Sequence, residues 1–450
     1  MSQRTRILSQ IAGFWGWKVV ETRWESAAGQ PIEPMAGYDV PTDAVLVLVM
    51  GRRWAPRCPK CLAICPRTCH ENCATRRWAD LPWAGRRVVI EYAPIRVNCP
   101  RCRSYPVELL GWAEPKQRQT RRLQHYLTLD AFSMPLVHVA TKYGLSWHTV
   151  RRAELAAIER WDNAREKPRL TQVGVDEKYL GRRNKREDKF VTIVSNLATG
   201  EPIWIGYGRR AETLTSFLKT LTSEQKTTIE LFAMDMHAPF RKAIADDPEL
   251  KHAVVVHDPF HIMKRAGDAL SELRRAVFFR AGPEMRAVGR GTRWMVLKAW
   301  ERTTDNEKET LRKLFSLNAK LARGYQVVDE LRVVLKAPDD TTMAKGMWHV
   351  MCRTRRRDNV PMRKLHDSLA EHMPGILALG AHRPPTGRIE ALNNNWETLV
   401  RRARGYRDHE YLVAKLRFIT ANPVATDGGT RRFLALGLPP PVRAVGVEAA

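Results

Sequence analysis

The chain has 450 residues, 44% of them hydrophobic, with 75 Lys and Arg against 48 Asp and Glu, a formal net charge of +27. That length exceeds one typical domain and points to three or four, and the apolar content suffices for packed cores, which sets aside general disorder. Basic clusters recur at residues 116–122 (KQRQTRR), 181–189 (GRRNKREDK), 353–357 (RTRRR) and 401–407 (RRARGYR), so a long polyanion is the favoured partner over a small acidic substrate. No run approaches the length of a transmembrane helix, and MSQRTRILSQIAGFWGWKVV at the N-terminus holds no convincing cleavage site, so a cytoplasmic location is expected.

Residues 1–50 alternate apolar and polar positions and end in AVLVLVM, which predicts a small β lead-in. Seven of the eight cysteines follow between Cys58 and Cys102. CPKC (Cys58, Cys61) and CPRC (Cys99, Cys102) form two close pairs around a predicted strand pair at 86–97, RRVVIEYAPIRV, and this pattern suits a tetrahedral structural Zn²⁺. Between them stand Cys65, Cys69, His70 and Cys73, which form a second site, replace one ligand, or are incidental thiols; the last is slightly favoured.

Residues 116–160 are helical in pattern, broken at Gly144 within LVHVATKYGLSWHTVRRAEL. Ala140 suits a tight helix contact, Gly144 the turn and Val150 the packed face, as in a helix-turn-helix. Ser146, Trp147, His148, Arg151 and Arg152 then lie on or near the DNA-recognition face, and Arg401 and Arg402 add basic contacts from a later helix.

From 172 strands and helices alternate: VGVDEKYL, FVTIVSN, IWIGYG, a helix at 211–221, ELFAMD, a helix near 238–246 and HAVVVHD. This β-β-β-α-β-α-β order predicts an RNase H-like fold. Residues 261–380 show only helical periodicity, with Trp294, Trp300 and Trp348 read first as core aromatics and second as base-stacking groups. RPPTG (383–387) breaks the run, IEALNNNWETLVRRARGY resumes a helix, and the Gly/Pro-rich tail reads as loose.

The expected architecture is therefore multi-domain α+β. It comprises a β lead-in and zinc-binding domain (1–110), a helix-turn-helix (111–165) and an RNase H-like α/β catalytic core in two parts (170–262 and 383–422). An all-α insertion (263–382) interrupts that core, and a tail (423–450) ends the chain.

Within so basic a chain, three carboxylates stand out: Asp176 in GVDEKYLGRR, Asp235 in IELFAMDMHAPF and Glu390 in TGRIEALNNNWE. Two-metal phosphoryl transfer needs such acids to converge on ions about 3.5–4 Å apart. In the predicted sheet the first and fourth strands are neighbours, so Asp176 and Asp235 can meet at one level while a packed helix brings Glu390. Each acid alone is more readily a turn or cap residue; their order and the charge around them favour catalysis. Asp258 in HDPFH competes with Asp235 but ends the fifth strand, one position farther from the first. HDPFH also sets His257 and His261 close enough to suggest metal ligation; Asp258 and His261 are thus expected as site neighbours, and His261 is read equally well as a helix-start residue packed on Phe260. Glu177 should face the opposite side of its strand, and Glu397 is the alternative to Glu390 on nearly the same helical face.

Taken together, the CPKC…CPRC pairs, the helix-turn-helix, GVDEKYLG, AMDMHAPFRKAI, HDPFHIMKRA and TGRIEALNNNWETLVRRARGYRDHEYLVAKLRF resemble bacterial insertion-sequence transposases of the ISL-three family, from about residue 10 to 420. Cys65, Cys69 and Cys73 stand outside that pattern. The resemblance implies a zinc-binding domain, a DNA-binding helix-turn-helix and a DDE domain with Asp176, Asp235 and Glu390 as catalytic acids holding Mg²⁺ or Mn²⁺. The implied partners are double-stranded DNA (inverted repeats at the element's ends, and target DNA) and further copies of the chain, as a homodimer or larger assembly at the nucleoid. A zinc-containing DNA-binding regulator without catalysis and a structure-selective nuclease are the alternatives.

Overall fold

The computed structural model describes residues 3–33, 40–66, 68–166, 169–180, 188–355, 358–403, 406, 408–425 and 427–437. The chain divides into a terminal unit, Met1–Glu166 with Glu397–Ala450, and a central unit, Lys167–Trp396. No helix among the described residues is long and apolar enough to cross a membrane.

The terminal unit opens with a helix, α1 (Gln3–Ala12), where only β structure was expected. Leu8 and Ala12, one turn apart, pack on the adjoining core, so helical spacing takes precedence over the weak alternation. The strands β1 (Trp17–Glu25), β2 (Pro31–Ile32), β3 (Val45–Arg52), β4 (Thr68–Asn72), β5 (Arg76–Trp83), β6 (Arg86–Tyr92) and β7 (Ile95–Val97) follow. Five of them form a mixed sheet in the order β2-β1-β3-β6-β5, over which Trp17, Val19, Leu48, Trp78, Ile90 and Trp112 are buried. Residues 86–97 are not a strand pair. β6 joins β3 and β5, whereas β7 pairs with β4. Pro94 lies at the break; lacking an N–H and with φ fixed, it interrupts the ladder.

Three helices come next: α2 (Arg121–Ser133), α3 (Leu136–Tyr143) and α4 (Trp147–Ala164). The Thr120 side chain accepts from the Leu123 N–H at the start of α2, and Ser146 accepts from the Thr149 N–H at the start of α4. Gly144 ends α3 at φ +61°, a left-handed turn that glycine enters without a Cβ penalty. Val139, Ala140 and Val150 are buried between the helices, as the sequence pattern requires.

The central unit is built on β8 (Gln172–Tyr179), β9 (Phe190–Asn196) and β10 (Pro202–Tyr207), then α5 (Ala211–Leu218), α6 (Ser223–Thr228), β11 (Leu231–Met234), α7 (Ala238–Ala245) and β12 (Val254–His257). The strand order is β10-β9-β8-β11-β12, antiparallel on the β9 side of β8 and parallel on the β11 side. Alternation sorts the residues between two cores. Val173, Val175, Phe232 and Met234 pack with α5 and α7 on one face, while Leu231, Ala233 and Val256 join a second core on the other. That second core is completed by α8 (Pro259–Arg274) and by a block of helices, α9 to α15, that fills residues 283–382 without a strand among the described residues. Within the block, Trp294 and Trp348 are 69% and 65% exposed rather than core residues, and only Trp300 packs inward.

The last helices are α16 (Gly387–Arg402), α17 (His409–Ala421) and α18 (Gly429–Ala435). The boundary between units falls inside α16, so residues from Glu397 onward belong with the helix-turn-helix rather than with the sheet. Nor is the described part of the tail loose: Phe433 on α18 is buried against Phe418 and His125.

Candidate active site and cysteine centre

Strand register sets the level of the acids. Met234 pairs with Val175 on one side and His257 on the other, which brings the next residues, Asp235, Asp176 and Asp258, to one height along three adjacent strands. Parity places Asp176 on the face opposite Val175, and Asp235 and Asp258 continue the alternation of Ala233 and Val256 to that same face. Asp258 is therefore farther from β8 by one strand but not by level, and it also accepts from the Phe260 N–H to cap α8.

His261, one turn into α8, faces all three acids. Its Nδ1 lies 3.3 Å from Asp235 Oδ2, and its Nε2 lies 3.6 Å from Asp176 Oδ1 and 4.0 Å from Asp258 Oδ2. Burial opposes a charge on this ring, but its close polar contacts with Asp176 and Asp235 and their negative charges push it up to about 10. In return, although burial works against ionisation of Asp235, His261 and the Met236 N–H hold it well below the usual carboxylate range. Burial pushes Asp258 the other way, upward. Adjacent acids thus acquire different proton affinities.

The helix α16 lies over Asp176. Gly174 in β8 leaves room for it: a Cβ there would meet Leu197 Cδ2 and Ser195 Oγ at 2.7 Å and Ile389 Cδ1 at 3.1 Å. Asn393 Nδ2 donates to Asp176 Oδ2, while Asp176 Oδ1 is buried without a hydrogen-bond partner. Glu390, one helical turn before Asn393, is exposed. Asn393 is thus an α16 side chain bonded directly to one of the acids. Glu397 falls in the terminal unit, 3.8 Å from Arg401. Glu177 lies on the other face, between Arg209 and His237 at 3.7 Å each. Among the described residues the acids do not form a group whose ligand atoms all lie within 4.8 Å; the four paired cysteines do.

In that cysteine centre Cys61 Sγ lies 3.5 Å from Cys99 Sγ, and Cys58 Sγ 4.0 Å from Cys102 Sγ. Four sulfurs at about 2.3 Å from a tetrahedral zinc would be about 3.8 Å apart, so the donor set and its spacing fit that ion. Cys65 is buried in the same cluster, its Sγ 3.5 Å from the Ala63 carbonyl oxygen, outside the converging four. Cys73 is half-buried, and the side chains of Cys69 and His70 lie outside the described atoms.

On the helix-turn-helix, Ser146, Trp147, His148 and Arg152 are exposed, as is Arg401 on α16. Arg151 is not free in the same way. It pairs with Asp408 and stacks over the Tyr411 ring at 5.0 Å, and Arg402 donates to the Phe132 carbonyl over 2.7 Å. These two cations hold the C-terminal segment to the helix-turn-helix. Asn393 and Asp408 were missed from the sequence; the only signal for Asn393 was a polar residue at i+3 from Glu390 on a helix expected to cover Asp176.

Comparison with known proteins gives this arrangement its family. Residues 173–416, more than half of the chain, match a DDE family of the ISL3 type described as transposase, and residues 108–156 match the helix-turn-helix domain of transposase family ISL3. The chain belongs to the ISL3 family of transposases. The ISL3 match spans β8 to α17 and so contains Asp176, Asp235, Asp258, His261 and Glu390. Among curated relatives, the transposase for insertion sequence element IS1001 of Bordetella parapertussis is 26% identical over 418 residues, 92% of this chain and 97% of its own length. The transposase for insertion sequence element IS1557 of Mycobacterium tuberculosis is 24% identical over 372 residues, 75% of this chain and 80% of its own.

Proposed function

We infer that the protein is a DDE-type DNA transposase that binds the inverted repeats at insertion-sequence ends, cleaves them and transfers the 3′-OH ends to target DNA. The observation that carries this reading is the convergence of Asp176, Asp235 and Asp258 at one level of a 3-2-1-4-5 sheet, around His261, in a chain of the ISL3 family. That strand order and its directions support an RNase H-like core, interrupted by the helical block.

Asp176 and Asp235 are the residues that would hold divalent cations such as Mg²⁺ or Mn²⁺, with Glu390 as the third acid. The fit rests on a hard oxygen donor set and on Asp176 Oδ1, buried with an unused lone pair. Bound there, such ions supply charge stabilisation at the phosphoryl oxygens and a more acidic water or 3′-OH. The chain's own part is orientation. Asn393 fixes the Asp176 rotamer, His261 keeps Asp235 ionised and aimed, and Glu390 stands one helical turn along α16 from Asn393. The cysteine centre would hold one structural Zn²⁺ on Cys58, Cys61, Cys99 and Cys102. Ser146, Trp147, His148 and Arg152 would read or grip the repeat. Joining two ends calls for a homodimer or larger assembly.

Strand transfer on element-end DNA with Mg²⁺ tests the reading. Asp176→Asn and Asp235→Asn should each lower product formation at least about a hundredfold, the scale of losing a group that stabilises transition-state charge, while binding to the ends persists. Glu390→Gln should do the same, and Glu397→Gln should not. Unchanged products from Asp235→Asn would sink the assignment, and cleavage without joining would match the nuclease reading.

A further inference from the structure

An open trough of about 1140 Å³ lies on the other face of the sheet from the acids, lined by Arg209, Arg210, His237, Pro239, Arg241 and Lys242 among others. It begins two residues beyond Asp235. Its lining holds four cations and one acid, Glu212. The helices α5 and α7 both start at this trough, and neither has a side-chain cap on its N-terminal N–H groups. Uncapped helix starts present partial positive charge to an anion, although in α7 Pro239 supplies no N–H.

The cations fall into two kinds. Arg209 is fixed, its guanidinium 4.0 Å over the Phe190 ring and 3.7 Å from Glu177, and Arg241 is fixed by Glu371 at 3.0 Å. Arg210 and Lys242 are exposed and make no ion pair among the described residues. Two held cations thus shape the wall and two unpaired ones face outward. A small anion would need enclosure on several sides; an open basic surface suits a chain of phosphates.

We propose that this trough is a phosphodiester-binding track that grips the DNA strand running past the acidic site, with Arg210 and Lys242 as its phosphate contacts. The inference rests on the DNA transposase reading, and its test reads binding rather than turnover. In full-length protein, the salt dependence of duplex binding should fall in slope by about 1.8 in the Arg210→Ala/Lys242→Ala variant, two contacts at about 0.9 each. The charge-keeping Arg210→Lys/Lys242→Arg variant should retain the wild-type slope. On element-end duplexes carrying single methylphosphonates, one or two positions beside the cut should weaken wild-type binding about tenfold, the scale of a charged hydrogen bond. The double-alanine variant should show no further loss at those positions. An unchanged slope overturns the proposal, as does a full methylphosphonate penalty in the variant. Protection of the trough by inorganic phosphate with unaltered DNA slopes would mark it as a small-anion site and overturn it equally. Because the slope can be read on any duplex, a wild type that makes no strand-transfer product leaves this test intact.

Discussion

At the residue scale, proton affinities follow from neighbours rather than from residue type. His125 on α2 is fully buried, and Arg160 donates from Nε to its Nε2 over 3.2 Å, which requires that nitrogen to be unprotonated. Burial lowers its pKa most; the Arg160 and Arg121 guanidiniums lower it further against a backbone partner at Phe433, to about 3. The unfolded chain takes up this proton near pH 6.5. Between pH 6.5 and 3 the unfolded state binds more protons, so stability is full above 6.5 and drains away as pH falls. Going from pH 7 to 5 should cost the terminal unit about 2 kcal/mol through this one ring. Urea unfolding at both pH values, followed by the buried tryptophans, should show that loss in wild type. His125→Gln should remove most of it, since Gln can accept from Arg160 without titrating. An equal loss in the variant would reject the account.

At the element scale, the catalytic constellation depends on how closely a helix approaches a strand. Gly174 is the point of contact, because α16 lies where a Cβ would intrude on Ile389 and on Leu197 and Ser195 beneath. Gly174→Ala should therefore overpack this contact at about 1–3 kcal/mol. It should also lower strand transfer more than it lowers end binding, since α16 carries both Asn393 and Glu390. Thermal unfolding and product yield measured together decide: a stable, fully active variant would mean that α16 need not sit so close. The strands of this sheet were legible one by one, because VGVDEKYL, FVTIVSN, ELFAMD and HAVVVHD are short apolar runs bounded by turns, and their order gave the pairing. The level of Asp258 was not legible. That Asp258 stands beside Asp235 depends on a register of parallel strands, Met234 opposite His257, which no local pattern encodes. The exposed Trp294 and Trp348 misled for a related reason, since periodicity finds a helix but not which stripe of it is covered.

At the scale of the whole molecule, the chain leaves the terminal unit at residue 166 and returns to it at 397. Sequence order assigned residues 383–422 to the catalytic core, yet from Glu397 onward they complete the unit that holds the helix-turn-helix. The join is a buried charge cluster. Glu154 on the long α4 accepts from the Tyr411 hydroxyl and pairs with Lys415 Nζ at 2.9 Å, all three side chains being nearly inaccessible. Such a pair contributes little net stability over apolar packing, but removing one partner strands the other charge in a medium that cannot solvate it, at about 3–5 kcal/mol. Lys415→Met keeps most of the side-chain volume and leaves Glu154 with the tyrosine alone. It should destabilise the terminal unit by that amount and weaken end-DNA binding, while the unfolding of the central unit stays where it was. Replacing both members, Glu154→Gln with Lys415→Met, should recover a large part of the loss because no bare charge remains. Calorimetry that resolves the two units can check both steps. If the single variant shifted the two transitions equally, the second passage of the chain would not be a private part of the DNA-binding unit.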